Sequence, residues 1–238
     1  GKIIPIEPYR KRGKREQPKA RNGLKRLLRD QYNQPYAQIC DVDGSIKILP
    51  VRGEKFKNAL IRAYTKEHGE PPKASLLKQA IEAAVAEADL AEKVDMHLRI
   101  AQAGNKFYYN LADGSGNVVE IDSTGWRVCT DAPVCFREYP LTGKQAQPDL
   151  YNPVPISKIF DWINISDPLA RVLMEVSLVS SFMPGIKHPL LMLNGHQGSA
   201  KTTAARILKA LVDPSAVDVG PLPKTIAETA QLLSHQHF

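Results

Sequence analysis

No apolar run in this chain approaches the ~18 residues needed to cross a bilayer as a helix, and the opening residues lack the apolar stretch of a secretory leader. Those two absences set the expectation of a cytoplasmic protein with no membrane partner. Cysteine is scarce. Cys40, Cys129 and Cys135 are odd in number and show no CxxC spacing, which argues against a disulfide framework or a cysteine zinc site and leaves small packed thiols. No segment repeats itself. Acids are almost missing between Arg10 and Arg29, where ten basic residues stand against Glu16 alone. That stretch carries +9 in a chain whose total is +7, so the remainder sums to −2. The excess charge is a local block rather than a domain face. It also has no interleaved aromatics, so any nucleic-acid contact through it is made to phosphates, weakens with salt and does not read sequence. Arg10, Lys11, Arg12, Lys14 and Arg15 are the candidate DNA contacts. The plainer reading is a solvated linker.

What is present suffices for a packed core and two modest domains: 238 residues, 43% hydrophobic and 24% charged. Residues 1–29 read as a basic tail or linker. Around Asp43-Gly44, a hairpin-turn dipeptide, "QPYAQICDVDGSIKILPV" predicts two short strands. From Glu54 the period changes, with Phe56, Leu60 and Tyr64 four apart and Gly69 as a stop, predicting a helix over 54–68. Ser75 is then a candidate cap for a second helix carrying Leu77, Ile81, Val85 and Ala88. Alternation returns over 94–136, where Val94, Met96, Leu98 and Ile100 oppose Asp95, His97 and Arg99, predicting a meander of antiparallel strands anchored by Trp126. Residues 30–138 therefore read as a small α+β accessory domain.

The proline-rich stretch 139–155 marks the expected junction, and 156–238 reads as the first part of a second domain. Asp167-Pro168 predicts a helix start, with Leu169, Val172, Leu173, Val176 and Val179 as its buried stripe. "HPLLMLN", short, apolar and bounded, predicts a central parallel strand. It runs into "GHQGSAKTT". A glycine-rich turn between strand and helix points backbone N–H groups inward, the helix start adds partial positive charge, and a lysine reaches the outer phosphates. The next hydroxyl ligates magnesium. Gly195, His196, Gln197, Gly198, Ser199, Ala200, Lys201, Thr202 and Thr203 are the candidate nucleotide-binding residues, with Lys201 as the catalytic charge and Thr202 on Mg2+. "KTTAARILKALV" supplies the helix, with Ile207, Leu208 and Leu211 toward a core. Ala200 stands where the standard loop has its last glycine. A methyl there costs little at negative φ and strains the loop at positive φ.

"GHQGSAKT" resembles the GxxGxAKS loop of hexameric replicative helicases of the minichromosome-maintenance type. Over roughly residues 30–238 the order of elements is similar to the helicase-type ATPases of phages, prophages and mobile genetic elements, among them replication initiators and primase-associated helicases. Gly125-Trp126, Pro133-Val134 and Phe136 precede the loop as a "GW…PV.F" segment does in those proteins. The resemblance implies an α/β P-loop NTPase, the start of an AAA+ or helicase-like core behind the α+β domain. It implies hydrolysis of ATP with Mg2+, single-stranded or forked DNA as partner, and a homo-oligomer such as a hexamer in a bacterial or phage-infected cell. In that family an acidic strand follows soon after the loop helix. Asp213 and Asp218 sit in a turn-rich connector and are not assigned that role, so the sequence reads as cut short before the acid. His235 and His237 have no third ligand and are read as incidental. Two rivals stay open: a nucleotide-gated DNA-binding or assembly module without unwinding, and a small-molecule P-loop kinase, which would leave the basic block idle.

Overall fold

The computed structural model describes residues 23–40, 46–137, 139, 141–149, 151–217, 219–220 and 223–233. Its contacts divide the chain into two compact units, residues 1–96 with 135–138, and residues 97–134 with 139–238.

The first unit is built on an antiparallel sheet in the order β1 (Leu24–Arg29), β2 (Pro35–Cys40), β3 (Ile46–Pro50). A register shift between Leu24 and Arg26 turns both Leu24 and Leu27 to one face, which simple alternation would not allow. On that face Ala37, Ile39 and Leu49 pack with Phe56 of α1 (Glu54–His68) and Ala84 of α2 (Ala74–Ala88). Tyr36 and Ile48 point the other way and are covered by Met96 and Cys135, which lie on the paired two-residue strands β4 (Met96–His97) and β9 (Cys135–Phe136). At the β1–β2 turn the buried Asp30 carboxylate accepts from the backbone N–H groups of Tyr32 (2.9 Å) and Gln34 (2.7 Å). The α1 bounds agree with the periodicity, and Gly69 ends the helix at φ 78°. Ser75 is not the cap of α2; the helix begins one residue earlier, with Lys73 at the cap position. Because β1 belongs to the sheet, the expected tail over 1–29 ends before Leu24. The Asp43-Gly44 turn lies outside the described residues.

The second unit opens with the expected meander, β5 (Ile100–Ala103), β6 (Lys106–Asn110), β7 (Val118–Asp122) and β8 (Gly125–Cys129), all antiparallel. Ile100, Tyr109, Val119 and Val128 share one face, where Trp126 is half-buried against the same core. On the opposite face Glu120 sits between Lys106 (2.8 Å) and Arg127 (2.9 Å). Arg127 first and Lys106 second hold its carboxyl down at about 2. A 3₁₀ helix (Ile156–Asp161), α3 (Pro168–Ser180), α4 (Lys201–Val212) and α5 (Ile226–Leu233) complete the unit. Ile159, Ile163, Met174, Leu178, Leu208 and Val212 form its helical core.

Four expectations change here. Asp167 caps α3 through Leu169 and Ala170 as predicted, yet the predicted stripe is the uncovered face. Leu169 is 65% exposed and Leu173 60%, while Met174 and Leu178 are buried. The segment expected as a central strand forms no ladder among the described residues, with Leu191 and Leu193 against the core and Leu190 and Met192 exposed. A strand needs a neighbour, and each described sheet of three or more strands is antiparallel and lies elsewhere. Leu211 is 42% exposed rather than in the core. Finally, 139–155 does not act as a junction: Gly143 donates to Pro214 O (2.7 Å), Ala216 to Leu141 O (2.9 Å) and Gln145 to Leu111 O (2.8 Å), so the meander belongs with the C-terminal helices.

Candidate nucleotide-binding site

Residues 195–203 come together as a turn and the first helical turn of α4. Gly198 takes φ 82°, a conformation that suits glycine. At Gly195 a Cβ would stand 2.6 Å from Ser199 Oγ, so a side chain there requires the serine hydroxyl to move. The Ser199 N–H donates to His196 O (3.2 Å) and closes the turn. Lys201 folds back across it, its ammonium donating to the carbonyls of Gly195 (2.7 Å) and His196 (2.7 Å) and to Ser199 Oγ (3.2 Å). The cation is thereby held over the turn on neutral acceptors that an anion can displace.

Ala200 is the N-cap of α4, at φ 58° and ψ 23°, with no side-chain cap on the helix. The left-handed conformation is the costly case for a residue with a Cβ, roughly 1–2 kcal/mol. The first N–H groups of α4 have no side-chain cap and lie at the positive end of the helix dipole. Residues 194–200 are exposed, as are Thr202 and Thr203. The donor set therefore fits a phosphate chain: backbone N–H groups, one ammonium and the Thr202 hydroxyl. Among the described residues no three metal-ligating side chains cluster. The side chains of His196 and Gln197 lie on the exposed turn, and it is the His196 carbonyl that Lys201 uses.

The opposite end of α4 carries a cluster that periodicity did not reveal. Arg99, placed by alternation on the polar face, is 1% exposed. Its Nε donates to Asp213 Oδ1 (2.9 Å), Nη1 to Asn110 O (3.1 Å), and Nη2 to Gly143 O (2.8 Å) and Pro214 O (2.9 Å). Lys209 reaches the other Asp213 oxygen at 3.2 Å. Burial pushes the Lys209 ammonium below its ordinary range, and Asp213 opposes that shift. Asp213 is thus a structural counter-ion, consistent with not assigning it to magnesium. The last four carbonyls of α4 all receive donors: Lys209 O from Asp213 N–H (2.8 Å), Ala210 O and Leu211 O from Gln145 Nε2 (3.2 and 2.9 Å), and Val212 O from Tyr109 Oη (2.8 Å). The sequence signal that was there to find is an arginine between the apolar Leu98 and Ile100 and an aspartate directly after a helix.

Asp218, His235, His237 and the candidate DNA contacts Arg10, Lys11, Arg12, Lys14 and Arg15 lie outside the described residues. Among the described residues no helix is long and apolar enough to cross a membrane. No protein-family model, no curated protein and no solved structure matches the chain.

Proposed function

We propose that this chain binds Mg-ATP at residues 195–203 as part of a helicase-type replication ATPase of a phage or mobile element that acts on DNA. The observation that carries the reading is the Lys201 ammonium held across a glycine turn at the uncapped start of α4. Bound ATP supplies the transferable phosphoryl group and brings magnesium. Gly195 to Ala200 form the cradle, the N–H groups of α4 hold phosphate oxygens, Lys201 leaves its carbonyl partners to neutralise charge on the outer phosphates, and Thr202 ligates the metal. Hydrolysis also requires a carboxylate near the cradle. Asp213 is committed to Arg99 and Lys209 at the far end of α4 and is not assigned that role.

The test is magnesium-dependent binding of a fluorescent ATP analogue to the 238-residue chain beside Lys201→Ala. Expected is saturable binding that the substitution abolishes; equal signal from both proteins, or none from either, removes the reading. DNA binding is proposed through the Arg10–Arg15 block, with log affinity falling against log salt by about 0.9 per phosphate neutralised. Salt-independent or undetectable binding to forked DNA removes that part.

One observation favours a second reading, nucleotide-gated assembly without unwinding. The uncovered stripe of α3 continues at Val179 into an apolar hollow of about 300 Å³ lined also by Ile156, Leu178, Phe182 and Leu211. DNA-stimulated hydrolysis favours the motor, and nucleotide-dependent oligomerisation without turnover favours the switch.

A further inference from the structure

The two ends of α4 are held very differently. At its start the turn is exposed and no side chain caps the helix. At its end every one of the last four carbonyls is bonded, two of them by Gln145 and one by Tyr109. Just beyond, the buried Arg99 joins Asp213 to the backbone of the meander and of Gly143. A twelve-residue helix spans about 18 Å and is stiff over that length. Its axial position and rotation are set by the packing of Leu208 and Val212 in the helical core together with the bonds at its anchored end, and are delivered at the open one. The N–H groups and Lys201 reach a phosphate only as accurately as that anchor places them, and displacements of about 1 Å are enough to matter.

We propose that Tyr109, Gln145 and the Arg99–Asp213 pair are positioning residues for the phosphate loop, so that nucleotide occupancy and the order of the meander are coupled through α4. The inference rests on the nucleotide reading of residues 195–203. None of these residues touches the nucleotide. Coupling is reciprocal: if the anchor improves binding by some factor, bound nucleotide tightens the anchor by the same factor.

The experiment uses the full chain. The affinity of the fluorescent Mg-ATP analogue is measured for the wild type, for Lys201→Ala and for the double variant Tyr109→Phe with Gln145→Ala, which removes three donors to the end of α4 and keeps the buried ion pair. In parallel, amide exchange is followed in the wild type with and without the analogue at Gly143 and Gln145, whose N–H groups bond Pro214 O and Leu111 O. Expected are an affinity loss of about fivefold or more in a double variant that still melts cooperatively, and slower exchange at both amides when nucleotide is bound. Unchanged affinity in a folded double variant overturns the proposal. If the double variant does not fold, exchange in the wild type decides: slowing at residues 143 and 145 upholds the coupling and no change overturns it. Failure of the wild type to bind, or binding that survives Lys201→Ala, overturns the nucleotide reading instead and is read from the first two proteins alone.

Discussion

Ala200 is the residue on which the loop turns. Its φ of 58° and ψ of 23° place a methyl-bearing residue in the region where L-residues are disfavoured, a cost of roughly 1–2 kcal/mol that glycine avoids. Ala200→Gly removes that strain and loses about 0.5–1 kcal/mol to the greater freedom of glycine in the unfolded chain. The expected net effect is a gain of up to about 1.5 kcal/mol in denaturant unfolding, whereas Ala200→Val loses stability because branching at Cβ makes positive φ harder still. A glycine variant less stable than the wild type contradicts the left-handed assignment. The identity of the position was legible in the sequence as a departure from the standard loop. Which sign of φ it adopts was not, because that depends on where the following helix points, and α4 packs on Met174 and Leu178 and bonds Tyr109 and Gln145, all far from Ala200 in sequence.

At the scale of elements, the sequence was most informative where one signal acted alone. The helix over 54–68 was legible because Phe56, Leu60 and Tyr64 mark a single face and Gly69 stops it; α4 was legible because a glycine turn precedes it and "KTTAARILKALV" has one apolar side. In α3 two apolar stripes lie side by side on "PLARVLMEVSLVS", and periodicity cannot say which of them is covered. The structure buries Met174 and Leu178 and leaves Leu173 and Val176 about 60% and 57% exposed. Met174→Ala and Leu178→Ala should therefore each cost about 2–5 kcal/mol in denaturant unfolding. Leu173→Ser and Val176→Ser should stay within about 0.5 kcal/mol. A large loss from the serine variants means that this stripe is covered in solution, which favours the assembly reading. "HPLLMLN" failed as a strand for a related reason: an apolar run specifies burial, but a ladder needs a second backbone, and none beside it is among the described residues.

At the scale of the whole molecule, composition located the charge but not the boundary. Proline at 140, 148, 153 and 155 reads as a linker, and local composition could not show that Gly143 and Gln145 between those prolines bond Pro214, Ala210 and Leu211. The long-range partner of Arg99 is 114 residues away, so no window along the chain contains both members of the pair. The division of the chain into units therefore makes a prediction opposite to the one drawn from composition. A fragment ending at residue 138 keeps β5 to β8 but removes Asp213 and the carbonyls of Gly143 and Pro214, so that Arg99 keeps one of its four acceptors, Asn110 O. It also removes Phe182, whose ring packs on Tyr109, and the Val212 carbonyl that the Tyr109 hydroxyl bonds, and losing these contacts together takes a large share of what holds a domain of this size together. In that fragment the meander is expected to lose cooperative melting and to expose Trp126, seen as a red-shifted emission, while the sheet of β1 to β3 with α1 and α2, whose core uses none of the removed residues, keeps its own transition. A fragment that melts cooperatively with Trp126 still shielded instead means that the meander stands without α4, and then the cluster at the end of that helix does not organise the unit.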